Sequence, residues 1–391
     1  MAVIHDVVVI GLGGMGSAAA WHLARRGLSV VAVEQFDPAH ERGSSHGLSR
    51  IIRLAYFEHP SYVPLLQRAF SLWRELESVS GEELLHVTGG LDAGRPGSRV
   101  FEGSRESCAV HDLPHEILDA GEVKSRFPAY HLPPEFRAVF QPDAGFLEPE
   151  KCITTHVRLA VASGATVMTG REVTAWSRVP GGVVVRLGGD EIRARQVVLA
   201  AGAWMPKLVP SLARVLRPER QVVAWFEVAD AQAFDPARFP VFVLTTDDGI
   251  FYGFPQYDVP GFKIGKFHHL SEPVDPDRGG RTVDAHDESV LRQCVQSFFP
   301  GADGPVLRSS TCIFTNTPDE HFIIDRLPEA PEALVVSACS GHGFKFCSVI
   351  GEIVADLVAE GGTSHDLSLF QLARFRSGSD PGSDPGSDPD S

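Results

Sequence analysis

Short apolar runs punctuated by glycine open the chain. Residues 7–10 are four consecutive apolar positions, followed by Gly11, Gly13 and Gly16 and then by a helical pattern over 18–26 that stops at Gly27. A second apolar run covers 28–33 and ends at Glu34. Strand, helix and strand in that order predict a βαβ unit with two parallel, buried strands. Further on, Leu66, Phe70 and Trp73 recur at helical spacing within 61–77, and 150–163 reads as another helix, stopped by Gly164. Residues 89–107 read as mixed short strand and loop. From Arg171 the period shortens: VTAWSRV, GVVVRL and EIRARQVVLAAGAW predict three strands, the first two joined at a Pro-Gly-Gly turn.

VVAWFEV, FPVFVLT, GIFYGFP and FKIGKFH follow at short spacing and predict an antiparallel sheet of about four strands. A helix is expected over 287–299. The segment LVVSACSGHGFKF reads as a strand entering a glycine-rich turn, and SVIGEIVADLVAEG as a helix with Val349, Ile353 and Leu357 on one side. The expected class is therefore α/β with α+β: a Rossmann-like domain built from 1–85, 145–215 and 318–370, and an antiparallel-sheet substrate domain built from 86–144 and 216–317. The tail 377–391 has no apolar residue to bury and is expected to be disordered.

The glycines carry the first chemistry. Gly11 permits a tight turn, Gly13 lets a pyrophosphate approach the backbone, and Gly16 lets the helix pack closely. The helix N-terminus offers free N–H groups to phosphate, and Glu34 accepts from a ribose hydroxyl. This pattern predicts a dinucleotide site, and leaves open whether it takes a nicotinamide or a flavin. The neighbouring Gly14, Met15 and Gln35 belong to the same expected site.

Charge and cysteine usage narrow the partners. The formal net charge is −15 over 391 residues, which disfavours nucleic acid and anionic membrane surfaces. No apolar run approaches the roughly 18 residues of a membrane span. The six cysteines form no CxxC pair, and no Cys/His cluster has zinc-ligand spacing, so no metal is expected. The N-terminus reads as a first strand rather than a signal peptide, which points to a reducing cytoplasm.

Two further features stay ambiguous from the residues alone. Arg50 and Arg53 share a face if their segment is a helical turn, but point apart if it is extended. Cys312, within SSTCIFTN, reads first as a core thiol from the residues alone, with a metal ligand, a nucleophile or an attachment point as the other readings.

Four islands, VIGLGGMGSAAAWHLARRG, GSSHGLSRIIRLAY, TPDEHFIID and SGHGFKF, resemble the monomeric sarcosine oxidase family. That family extends to N-methyltryptophan oxidases and sarcosine/pipecolate oxidases, and the likeness spans about residues 5–370. It implies FAD, oxidation of a small secondary amino acid at its C–N bond, and reoxidation by molecular oxygen to hydrogen peroxide. Cys312, eight residues before the Glu-His-Phe of TPDEHFIID, matches the family's covalent flavin-linking cysteine. Arg53 and Lys345 match its substrate-carboxylate binders, His342 an active-site histidine, Arg50 an arginine beside the flavin, and Lys263 the lysine of the oxygen reaction. Ser44, His46, Ala201, Gly202 and Trp204, and the turn Gly341, Gly343 and Phe344, match cofactor-wrapping positions. A monomer is also implied.

The chain departs from the family pattern at two places. Phe314 stands where a tyrosine is frequent, and Phe267 where a histidine is. Both make the expected substrate pocket less polar and suit a larger secondary amine, such as N-methyltryptophan, pipecolate or proline. The other readings are a flavin dehydrogenase, a primary-amine oxidase, and a nucleotide-binding scaffold without catalysis.

Overall fold

The computed structural model describes residues 3–280 and 282–375; the tail expected to be disordered lies outside the described residues. The opening strand Ile4–Ile10 runs into helix Gly14–Ala24 and returns as strand Val30–Val33, parallel to the first. The helix begins at Gly14, four residues earlier than the periodicity suggests, because the glycine loop itself forms its first turn.

Eight strands make the first sheet. Ile4–Ile10 lies between Val30–Val33 and Asp190–Leu199, and Thr166–Met168 flanks the former. Ala330–Ser337, from near the chain's end, pairs parallel to Asp190–Leu199. Alternate residues serve two cores. Val7 and Val9 pack under helices Gly14–Ala24, Val63–Ser80, Pro149–Ala162 and Cys347–Ala359, while Val8 and Ile10 pack on the opposite side with Val183, Val185 and Leu212. That explains a strand with no polar alternation.

The second sheet is larger than the expected four strands. Its order is Val306–Asn316, Arg217–Phe226, Phe262–Lys266, Gly249–Phe254, Val241–Thr246, Gly90–Gly94, Arg137–Gln141, Glu116–Asp119. It is antiparallel except between Gly90–Gly94 and Val241–Thr246. The strand GLDAG carries two glycines, poor strand formers, and is held by neighbours on both edges. Helix Arg99–Val110 also replaces part of an expected strand-and-loop region. Its inward positions include Ser104, Ser107 and Cys108, so its apolar period is hidden by small polar residues. A short third sheet, Arg50–Ile52, Gly145–Leu147 and Leu85–Val87, packs toward both large ones: Ile52, Leu85 and Leu147 join the core of the first, and Phe146 packs with Val241 and Phe254 of the second.

Close helix packing supports the first sheet. A Cβ on Gly351 would lie 2.8 Å from the Ala18 carbonyl carbon of the opening helix. The Gly351→Ala variant is expected to lose about 1–3 kcal/mol of stability by overpacking, read as a lower midpoint in urea unfolding of the purified protein.

Candidate active site

One cavity joins the two large sheets. It opens beyond the C-terminal ends of the parallel strands, where Ile10 gives way to Gly11, Val33 to Glu34, and Ser337 to Ala338. Ligands of open α/β sheets bind at such strand ends. Gly11, Gly13, Gly14, Met15, Glu34, Gln35, Ser44, Ala201, Gly202 and Trp204 border one part. Arg50, Arg53, Phe267, Cys312, Phe314, Gly341, His342, Gly343, Phe344 and Lys345 border the other. Three expected residues stand outside this lining: Gly16, His46 and Lys263.

The glycine end fits a dinucleotide. Gly11 has φ +93°, and a Cβ there would meet the Ala200 carbonyl oxygen at 2.5 Å. At Gly16 a Cβ would fall 1.8 Å from the Gly11 carbonyl oxygen, so this glycine serves the helix-to-strand approach instead of the lining. A Cβ on Gly13 would find only Ser45 Oγ, at 3.7 Å, so the backbone stays open above it. Gly13 caps the helix without a side chain of its own; the Gly14 N–H donates to Ser45 Oγ at 3.3 Å, and the other first-turn N–H groups are left for a phosphate. Glu34 accepts from the Leu12 and Phe36 backbone N–H groups at 2.8 and 3.0 Å, fixing its carboxylate at the strand end. His46 is buried, and both its ring nitrogens lack a protein partner among the described residues. Burial, with Arg50 and Lys263 nearby, pushes its pKa down to about 3, so it is neutral.

Arg50 lies in an extended strand, and Arg53 falls just past its end, where the backbone turns. Both therefore border the cavity although the segment is not helical. Arg50 donates to the carbonyls of Ser49 and Ser44, each at 2.9 Å. Arg53 is deeply buried: it donates to both oxygens of Glu58 at 3.1 and 3.0 Å, and lies 3.4 Å from Asp92. Gln141 Oε1 accepts from the N–H groups of Leu54 and Ala55 at 2.7 and 3.0 Å and so fixes the turn that carries it.

Lys345 comes from the far end of the chain. It is 6 % exposed, and its Nζ donates to the His342 carbonyl at 2.6 Å. Burial lowers its pKa to about 7, with Glu58 opposing and Arg53 reinforcing the shift. Burial raises Asp92 to about 6 against the pull of Arg53. For Glu58, burial acts upward too, but Arg53, His342 and Lys345 outweigh it and hold the carboxyl below its usual range.

Cys312 is buried in strand Val306–Asn316, opposite Gln221. Burial raises its thiol pKa, while Arg50 and Lys263 pull the other way. Lys263 occupies a central strand, not a solvated edge, and is 1 % exposed. Its Nζ reaches the Gly47 carbonyl at 2.6 Å, and the Ser49 carbonyl and hydroxyl at 2.9 Å. Burial and Arg50 lower its pKa, while these three oxygens suit its charged form.

Phe267 and Phe314 stand 5.6 Å apart between ring centroids and pack over Gly341. Sequence reasoning missed several residues of this wall: Phe57, Glu58, Tyr252, Phe254 and Cys339. Tyr56, whose hydroxyl meets His342 Nδ1 at 2.6 Å, was missed as well. An acid five positions after Arg53 was the one available signal for Glu58.

Three kinds of likeness place the chain among known proteins. The model of the FAD dependent oxidoreductase family matches residues 6–357. A monomeric sarcosine oxidase of Streptomyces avermitilis is 42% identical over 96% of this chain and 98% of its own length. An N-methyl-L-tryptophan oxidase of Yersinia pestis is 35% identical over 95% of this chain and 100% of its own. Among solved structures, NikD, an unusual amino acid oxidase essential for nikkomycin biosynthesis, superposes with TM-score 0.82 at 27% identity, covering 94% of this chain and 97% of that one. An L-proline dehydrogenase from P. horikoshii shares the fold, with TM-score 0.82 at 21% identity over 96% of this chain and 99% of that one. Glycine loop, strand-end carboxylate and family match agree, and the chain belongs to the FAD dependent oxidoreductases, close to their sarcosine and N-methyltryptophan oxidases.

Proposed function

We propose that the protein is an FAD-dependent oxidase of a small secondary amino acid. For an N-methyl substrate, the amino acid, O2 and water give the primary amino acid, formaldehyde and H2O2. One observation carries this reading: Arg53 and Lys345, 292 positions apart in sequence, border the same cavity as the dinucleotide-type glycine loop. Bound FAD would accept the reducing equivalents and pass them to oxygen.

The protein's own groups bind and orient. Arg53 offers a planar fork to the substrate carboxylate and Lys345 a point charge. Arg53 already faces Glu58 and Asp92, so an arriving carboxylate competes with Glu58 for the guanidinium. The surrounding apolar wall excludes water and strengthens these interactions. His342 is neutral, its pKa lowered by burial to about 4. Lys263 is assigned to the oxygen reaction as a buried charge acting across the Gly47–Ser49 backbone, since its Nζ is engaged there. Cys312 is assigned as the thioether attachment point of FAD, supported by its place on the cavity wall; Arg50 and Lys263 only partly offset the burial that raises its thiol pKa.

A second reading concerns substrate size. Phe267, Phe314, Tyr252 and Phe57 give the carboxylate-binding end an aromatic wall that suits a bulkier or cyclic secondary amine over sarcosine. The chain is taken to act as a monomer.

Three outcomes are expected. With sarcosine, proline, pipecolate and N-methyltryptophan, peroxide-coupled assays should give kcat/KM at least tenfold higher for one of the larger three. A preference for sarcosine alone would remove the size argument, and no oxygen uptake with any would remove the oxidase reading. Secondly, in wild-type holoenzyme, propionate binding followed by flavin difference spectra should weaken as pH rises through about 7, because protonated Lys345 is the anion-binding form. Asp92, protonating below about 6, adds to the same trend. In Lys345→Met the binding should be weaker and the step near 7 absent. Thirdly, acid precipitation should leave yellow colour in the pellet of the wild type and release it to the supernatant in Cys312→Ser.

A further inference from the structure

Glu320 lies in the loop between strands Val306–Asn316 and Ile323–Leu327, and it mediates three contacts that the proposed chemistry does not use. Its backbone is left-handed, φ 61°, and its N–H closes a tight turn onto the Thr317 carbonyl at 3.2 Å. A non-glycine residue holds that conformation only when its surroundings fix it. The side chain supplies the fixing. One carboxylate oxygen is 2.8 Å from His268 Nε2, and the other is 3.0 Å from an Arg99 guanidinium nitrogen. His268 Nδ1 in turn lies 3.0 Å from Glu219 Oε1. An imidazole between two carboxylates donates from both nitrogens and is therefore a cation. Hydrogen bonds from Glu219 and Glu320 accordingly raise its pKa to about 9.

The third contact reaches the cavity. The main-chain oxygen of Glu320 is 3.0 Å from His342 Nε2. A carbonyl can only accept, so Nε2 carries the proton. Neutral His342 then presents Nδ1 as an acceptor to the Tyr56 hydroxyl. Both nitrogens are thus engaged within the protein, and the ring is stacked on Phe322 at 4.8 Å. The His342 carbonyl holds Lys345 Nζ, so the same peptide segment sets the position of the proposed anion-binding cation.

We propose that Glu320 is a positioning residue: clamped by His268 and Arg99, it presents its main-chain carbonyl to His342 and so fixes that ring in the Nε2–H tautomer beside the substrate pocket. The kinetic part of this inference rests on the amino acid oxidase reading; the tautomer part does not. His342 then takes no proton from the substrate and acts by shape and by its fixed dipole.

The test uses Glu320→Gly, which relieves the left-handed backbone while removing the clamp. A turn residue with no further role would tolerate this change or gain stability from it. Full-length holoprotein labelled with 15N-histidine is compared with the variant, the His342 signals being assigned by their loss in His342→Gln. The wild type is expected to show the Nε2–H pattern from pH 6 to 9, and Glu320→Gly a tautomer mixture. In stopped-flow reduction without oxygen, the saturating rate should fall five- to tenfold with substrate half-saturation changed less than twofold, and Glu320→Gln should recover part of the loss. An unchanged tautomer pattern in Glu320→Gly overturns the proposal whichever substrate is oxidised. If that variant does not fold, Arg99→Gln, altered at a half-exposed position, decides by the same spectrum: a His342 pattern identical to wild type overturns the proposal.

Discussion

Two cations buried at one end of a cavity constrain the rest of this protein. An unpaired charge in a dry interior costs far more than any single packing contact returns, so Arg53 and Lys345 demand carboxylates close by. Glu58 and Asp92 pair with Arg53, one at each terminal nitrogen of its guanidinium, while the Lys345 Nζ donates to the His342 carbonyl. The four groups are formally neutral together. On the proposed reading, an anionic substrate would compete with Glu58 for Arg53 and favour protonation of Asp92. On that reading, the same electrostatics would accept a substrate carboxylate.

The positions of these groups follow from the sheets. Gln141 and Asp92 sit on adjacent strands of the eight-stranded second sheet, and together they fix the turn after Arg50–Ile52. The parallel sheet meanwhile ends its strands at the other side of the cavity, where the glycine loop, Glu34 and the turn before Lys345 assemble. The charged end and the dinucleotide end are thus presented by different sheets across one space. The aromatic wall of Phe267 and Phe314 belongs to the second sheet and its following loop. Its packing over Gly341 shows why a side chain is excluded there.

Much of the fold was legible in the chain. Parallel buried strands announce themselves as unbroken apolar runs, and glycine spacing before a helix has few other uses. The missed elements share a physical cause. GLDAG and the helix at Arg99–Val110 have weak local preferences, and their state is decided by partners far away in sequence. The strand bearing Cys312 likewise forms by pairing along its length with Arg217–Phe226.

The sequence by itself determined the dinucleotide unit, because its signals are local: a turn needs glycine, a helix end offers N–H groups, and a strand end bears an acid within about 30 residues. Resemblance in four short islands pointed to the remaining site residues without placing them. Only the tertiary structure decided that Arg53 and Lys345 border one cavity, that Glu58 and Asp92 pair with Arg53, and that Lys263 is buried behind the Gly47–Ser49 backbone. Those facts depend on contacts between residues far apart along the chain, and the energy of a buried charge is set by what surrounds it in space, which no local pattern encodes.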